Sequence, residues 1–520
     1  MNYRFQPIPP LSRTSCAAIC AVVFLAACSG GDDKPAVTSS EASAQTQCDM
    51  LSGKSIGGAV LGTTTLVPAT ANSAEYCKVP GTIHQTLNFE IHLPTIWNSK
   101  ILYEGGGGWD GSITINNYSP SSATAGYVVV ASDGGHQGLA LDASAFLNNE
   151  QAQIDFGYLS IHTVFEVAKQ IVQQRYGTPQ TRSYFEGCSN GGREALIQAT
   201  RFPNDYDGII VRSPAYSFTQ LFQAFVANGK AVAAPGGQID AAKAQLVGNA
   251  VTAQCDGLDG VMDGIVSNPA ACKFNPATLR CTGADSDSCL TDAQLSTVNT
   301  LYSGLTGSDG QSIYPGWGPG GEGLDGGWPT WVTGTAVGGT GYQFLFGTGL
   351  VQDWITQNPS FNVFTWNPSS YTQQLSLAAA TLDATPDLRT FFAQGRKLVL
   401  MHGTYDWAIS DKSSIQYFND VATTVGGANV RDASMEFFLE PGVEHCTGGV
   451  GPDTVEMVDP VAKWVETGVR PSQQNITAQK LDPTTGAVLL TRPLCVYPSF
   501  PKYKGTGDVN SADSYVCATS

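Results

Sequence analysis

The sequence predicts an α/β fold: a mainly parallel sheet flanked by helices and interrupted by a large inserted domain. Three observations predict it. Short strand-like runs alternate with helix-like stretches from about Cys48 to Asn249, the alternation lapses between 254 and 369, and it resumes near Lys397. Strand–helix alternation of this kind is the pattern of a parallel sheet with helical crossovers.

Lys100-Ile101-Leu102-Tyr103 is a short apolar run that ends in the tetraglycine Gly105–Gly108, so a strand should run into a flexible turn. Tyr127–Ala131 (YVVVA) is β-branched throughout, as a strand buried on both faces requires. Residues 157–175 keep apolar side chains at helical spacing, and Gly177 should end that helix. Ser183–Glu186 is a further strand, followed by a glycine-rich turn and helix-prone residues from Arg193 to Arg201. The stretch 254–369 is dense in glycine, tryptophan and closely spaced cysteine, and is read as an inserted lid between two parts, 48–253 and 370–520, of one catalytic domain. Lys397–Met401 and Met435–Leu439 are then late strands of the same sheet.

Gly187-Cys188-Ser189-Asn190-Gly191 matches G-x-S-x-G, the nucleophile elbow that sharpens the prediction to an α/β-hydrolase fold. Gly53-Lys54-Ser55-Ile56-Gly57 matches too but lacks a preceding strand and a following helix, so context selects Ser189. A serine hydroxyl attacks only when a base takes its proton and a carboxylate orients that base. In this fold the order is Ser, acid, His, with the last two on loops after late strands. Asp406 and His445 fit both order and placement, with Asp411 as reserve acid and Glu444 disfavoured by its adjacency to the histidine. The oxyanion needs two N–H donors. Asn190 supplies one by construction of the elbow, and Gly107 or Gly108 of the tetraglycine is the natural second.

The N-terminus reads as an export segment. Arg4 and Arg13 precede an apolar run, Ala17–Ala27, too short to span a bilayer. Leu25-Ala26-Ala27-Cys28 has the form of a lipobox, which would make Cys28 a lipidated first residue and a membrane anchor; an ordinary cleaved signal is the alternative. Residues 28–47 read as a flexible tether. Beyond Cys28 ten cysteines remain, an even number that suits a disulfide framework in an oxidising compartment, without fixing connectivity. Short spacings suggest Cys255 with Cys272, Cys281 with Cys289 and Cys495 with Cys517. Cys48 with Cys77 and Cys188 with Cys446 is the simplest remainder. If Cys188 and Cys446 are bonded, their Cα atoms lie roughly 4.4–6.8 Å apart, which brings Ser189 and His445 into neighbouring space.

The chain carries a formal charge of −17, which argues against nucleic acid or an anionic surface as partner. Cys255–Ile265 holds Asp256, Asp259 and Asp263 on glycine-bent backbone, the hard-oxygen chemistry that Ca²⁺ prefers, although a run of solvated Asp-Gly turns has the same composition.

Four stretches resemble the tannase and feruloyl esterase family: Ser132-Asp133-Gly134-Gly135-His136, Asp155-Phe156-Gly157-Tyr158 leading to His162, Tyr184 to Arg193, and Asp207-Gly208-Ile209-Ile210. The resemblance covers nearly the whole mature chain. It implies an exported serine esterase acting on aromatic (phenolic) esters, with a disulfide between Cys188 and Cys446. It also implies all five disulfides above and a structural calcium held by Asp256, Asp259, Asp263 and the carbonyls of Val261 and Ile265. Asn190 departs from the residue usual in the family, and only its backbone is expected to matter. Ten aromatic residues from Trp317 to Trp366 fill the lid; most should be lid core and some could stack on a planar acyl group. No lysine or arginine lies between Arg280 and Arg389, so the central lid cannot clamp a carboxylate, and neutral phenolic esters are expected over a terephthalate half-ester. The other alternative is a calcium-stabilised surface lipoprotein that binds ligands without turnover.

Overall fold

The computed structural model describes residues 43–115, 118–334 and 341–519. The export segment, Cys28 and the tether before Ser43 lie outside them. The last residues of the expected tether are not extended: Ser43 accepts the Thr46 N–H and caps a short helix, Ala44–Asp49, which carries Cys48.

Eight strands build the central sheet: β1 (Tyr76–Ile83), β2 (Leu87–Pro94), β3 (Lys100–Glu104), β4 (Val128–Ser132), β5 (Arg182–Cys188), β6 (Gly208–Arg212), β7 (Lys397–Gly403) and β8 (Met435–Glu440). Their spatial order is β1-β2-β4-β3-β5-β6-β7-β8, with short edge strands beyond β1. β1, β2 and β4 pair antiparallel, and every neighbour from β4 onward is parallel. The burial pattern follows. β1 alternates buried with half-buried residues, whereas β4 and β6 are buried at every position because helices cover both faces. All five strands expected from these runs are present, displaced by at most a residue or two at most ends.

Helix α1 (Ser160–Tyr176) ends at Gly177, whose φ of 73° closes it as expected. Its start differs. Residues Asp155–Leu159 form a π-helical turn, and the Arg193 guanidinium donates to the carbonyls of Phe156 and Gly157 at 2.8 Å each. Helix α2 (Asn190–Arg201) begins directly after Ser189.

The β6–β7 connection runs from 213 to 396, so the insertion in the sheet is longer than 254–369. Helix α3 (Phe218–Ala233) lies in it and joins one apolar cluster with the lid tryptophans Trp317, Trp328, Trp354 and Trp366. No gap separates lid from sheet: residues 43–519 belong to one compact unit.

Among the described residues five disulfides close the framework, and each of the ten cysteines there has the partner expected for it. Cys48–Cys77 ties the N-terminal helix to β1, and Cys188–Cys446 joins the end of β5 to the loop after β8. In the lid, Cys255–Cys272 closes the base of the acidic loop, with Cα atoms 5.2 Å apart, and Cys281–Cys289 closes a shorter one. Cys495–Cys517 fastens the last strand, Tyr515–Ala518, to the segment after β8, with Cα atoms 5.4 Å apart. Among the described residues, no helix is long and apolar enough to cross a membrane.

Candidate active site

Ser189 sits between β5 and α2 with φ 63° and ψ −121°, a conformation that non-glycine residues rarely adopt. The glycines around it are required by contact. A Cβ on Gly187 would lie 2.5 Å from the Gly191 carbonyl oxygen, and one on Gly191 would lie 2.7 Å from that of Gly106. The competing match at Ser55 falls instead in an exposed two-residue edge strand.

The loops after β7 and β8 deliver the other two groups. His445 Nε2 is 2.8 Å from Ser189 Oγ, and His445 Nδ1 is 2.8 Å from Asp406 Oδ2. Asp406 has no exposed side-chain surface; its Oδ1 accepts the N–H groups of Ala408 and Ile409 at 2.9 and 2.8 Å. Burial pushes its pKa up, but His445 and His402 more than offset that and hold the carboxyl well below its ordinary range. The Cys188–Cys446 bridge, with Cα atoms 6.1 Å apart, ties the two loops together one residue from serine and histidine alike. Asp411 begins the helix Asp411–Val425, buried, and makes no hydrogen bond to His445. Glu444 turns away from the histidine's ring nitrogens and packs against Gly326 and Gly448.

The tetraglycine is anchored at its first half. Gly105 donates to the Glu186 carbonyl at 3.0 Å, Gly106 to the Glu194 carboxylate at 3.0 Å, and the Gly106 carbonyl accepts the Gly191 N–H at 2.9 Å. Among the described residues, the N–H groups of Gly107, Gly108 and Asn190 have no acceptor, and Gly108 and Asn190 both border the cavity at Ser189. That narrow cavity is walled by Ala215, Phe218, Leu221, Phe222, Phe225, Trp331, Phe346, Ala408 and Ile409. The Trp331 ring stands edge-on to the His445 ring at 5.2 Å.

Residues 71–518 match the profile of the family described as tannase and feruloyl esterase. An uncharacterized esterase of Agrobacterium fabrum is 33% identical, with 89% of each chain covered. The chain belongs to the tannase and feruloyl esterase family. It is therefore a carboxylic ester hydrolase. Mono(2-hydroxyethyl) terephthalate hydrolase of Piscinibacter sakaiensis is 31% identical over 87% of this esterase and 86% of that chain. The crystal structure of feruloyl esterase B from Aspergillus oryzae superposes with a TM-score of 0.81 at 26% identity, covering 92% of this esterase and all of that chain.

In this esterase the 256–265 loop that carries the three aspartates is pinned at its base by Cys255–Cys272. Asp256 accepts the N–H groups of Asp263 and Gly264, Asp259 accepts that of Val261, and Asp263 accepts that of Ile265. Asp259 is buried, pushed up to about 6 by burial, with the charges of Asp263 and Asp256 adding to it, and its Oδ2 has no hydrogen-bond partner. Asp256 and Asp259 offer the hard oxygens a divalent cation takes, whereas Oδ2 of Asp263 is turned to Arg492 and Tyr515. The loop is distant from Ser189 in sequence but not from the acid. Val266 N–H donates to Tyr405 Oη at 3.0 Å, directly beside Asp406.

Two contributions escaped sequence reasoning. Phe218, Leu221, Phe222 and Phe225 of α3 wall the cavity from outside the expected lid; their i, i+3, i+4, i+7 spacing was the available signal. Asn190 contributes its side chain as well as its backbone, because that side chain is buried and bonded to Asp110, Glu194 and Arg193.

Proposed function

We propose that this esterase hydrolyses esters of neutral aromatic acids through a covalent acyl-enzyme on Ser189. The observation that carries the reading is the joining of a closed Ser189–His445–Asp406 chain to a small apolar slot with no lysine or arginine in its wall. His445 Nε2 takes the Ser189 proton as Oγ attacks the ester carbonyl, and Asp406 holds the proton on Nδ1. The Asn190 N–H and the Gly107–Gly108 turn receive the oxyanion. His445 returns the proton to the leaving alcohol, and water then releases the acid by the same steps reversed.

A terephthalate half-ester would bury its second carboxylate against phenylalanine and leucine without a counter-ion, which costs several kcal/mol. Each galloyl hydroxyl placed there would likewise lose a water partner, so the less hydroxylated ferulate fits better than gallate. A calcium ion held by Asp256, Asp259, Asp263 and the Val261 and Ile265 carbonyls would brace the Tyr405–Asp406 loop and take no part in the acyl transfer. With Cys28 lipidated, the enzyme would work tethered to a bacterial membrane, and with ordinary cleavage it would be released.

The test is turnover of methyl ferulate, methyl gallate and mono(2-hydroxyethyl) terephthalate by the wild type beside Ser189→Ala. Ferulate turnover that exceeds the other two and vanishes in Ser189→Ala is the expected result. Faster turnover of the half-ester would overturn the substrate class, and turnover that survives Ser189→Ala would overturn the mechanism.

A further inference from the structure

Beneath the oxyanion donors lies a buried polar group that the reaction as written leaves idle. Asp110, Asn190, Arg193 and Glu194 are each at most 3% exposed. The Asn190 amide bridges the two acids, donating to Asp110 Oδ1 at 2.9 Å and to Glu194 Oε1 at 3.2 Å. Glu194 Oε2 accepts the Gly106 N–H, so one carboxylate grips the tetraglycine turn from within α2. Arg193 touches neither acid by hydrogen bond. Its Nε donates to Asn190 Oδ1 at 2.7 Å, Nη1 donates to the carbonyls of Gly157 and Leu382, and Nη2 to that of Phe156.

The charges and the contacts decide the protonation. Two adjacent carboxylates facing one guanidinium, all without water, would leave a buried net negative charge, which is costly unless one acid keeps its proton. Asp110 is the acid placed to donate, within hydrogen-bond reach of Glu194. A Cβ on Gly106 would come within 2.3 Å of its Oδ1, and one on Gly134 within 2.4 Å of its Oδ2, so glycine backbone closes on both oxygens. Burial and the neighbouring Glu194 push Asp110 well above the ordinary carboxyl range.

We propose that Asp110 and Glu194, sharing one proton through an Asp110 O–H donated to Glu194, are positioning residues of the hydrolytic reaction. Together with the Asn190 side chain they lock the tetraglycine turn to the first turn of α2. That lock fixes the spacing between the Asn190 N–H and the Gly107–Gly108 donors. The proposal rests on the reading that Ser189 is the nucleophile and these N–H groups receive the oxyanion.

The experiment measures kcat and KM for methyl ferulate, with unfolding midpoints, in the wild type, Ser189→Ala, Asp110→Ala, Asp110→Asn and Glu194→Gln. A Gln at 194 has one oxygen where three donors arrive, so Glu194→Gln should lower kcat about 100-fold, the scale of one lost oxyanion donor. KM should stay within about threefold, because the acyl slot is untouched. Asp110→Ala should fall comparably, and Asp110→Asn should recover to within about fivefold of wild type, since a neutral amide can still accept from Asn190 and donate to Glu194. Unchanged kcat in Glu194→Gln, or Asp110→Asn as poor as Asp110→Ala in a folded protein, overturns the proposal. So does a loss that tracks the unfolding midpoint or KM. Should Asp110→Ala not fold, Asp110→Asn against Glu194→Gln makes the same comparison. Equal turnover in wild type and Ser189→Ala overturns the underlying reading, and the proposal with it.

Discussion

Asp406 receives donors from Ala408, Ile409 and His445, and His402 Nε2 stands 3.4 Å from its Oδ2. On sequence His402 stands too close to a strand end to be the base, and that closeness is what places it under the acid. Its Nδ1 is 2.7 Å from Ser414 Oγ and its Nε2 3.0 Å from the Ile409 carbonyl, so the ring is fixed on every side. An acid so held stays ionised and keeps His445 in one tautomer. Asp406→Asn should therefore lower kcat for methyl ferulate by about 10⁴ with little change in KM, and a loss under about tenfold would remove Asp406 from the triad. Glu440, at the end of β8, gives a prediction of opposite sign. Burial raises its pKa from 4.5 to about 7, with Arg212 and His402 opposing. The folded state then holds a proton that the unfolded chain has released. Stability contributed by this group is complete below pH ~4.5 and falls by roughly 3 kcal/mol as pH climbs to ~7. Glu440→Gln should flatten that slope, raising the unfolding midpoint more at pH 8 than at pH 5; an equal shift at both would refute the assignment.

At the scale of elements, five of the eight strands were legible because each is a short apolar run, largely buried and bounded by glycine or a loop. The lid boundary was less so. Helix α3 has a strand–helix context like that of the catalytic domain, yet its apolar face belongs to the lid cluster, and only the sheet topology shows that β6 is followed by β7 at Lys397. The 256–265 loop shows the same limit. Its aspartates raise the expectation of a cation from composition, but the Val266–Tyr405 bond just after it and the Arg492–Asp263 ion pair at 2.5 Å join it to the Asp406 loop and to the C-terminal hairpins, 477–493 and 500–518, that Cys495–Cys517 fastens together. Removing the proposed calcium with a chelator should lower the unfolding midpoint and reduce kcat, and both should return on adding calcium back. No change in the midpoint would mean that the loop holds no stabilising ion.

Over the whole molecule, the triad could be read from sequence because motif, order and strand context agree on three residues; the polar group beneath the oxyanion donors could not. Asp110, Asn190, Arg193 and Glu194 come from two segments 80 positions apart, and nothing in either segment announces the other. The Cys188–Cys446 bridge spans a longer interval, 258 positions. At synthesis rates of about 5–20 residues per second, the nucleophile and its cysteine emerge some tens of seconds before the base and its partner thiol. Through that interval Cys188 is a thiol among the earlier thiols Cys48 and Cys77, and the site has no base. The Ser189–His445–Asp406 chain is thus incomplete until His445 has been made, and the bridge can form only after Cys446. Chain produced in a reducing cytosol should show native-like helix and sheet content with kcat far below that of oxidised enzyme, and oxidation with a disulfide isomerase should restore it. The bond next to the serine therefore closes only on a chain that already holds both Ser189 and His445.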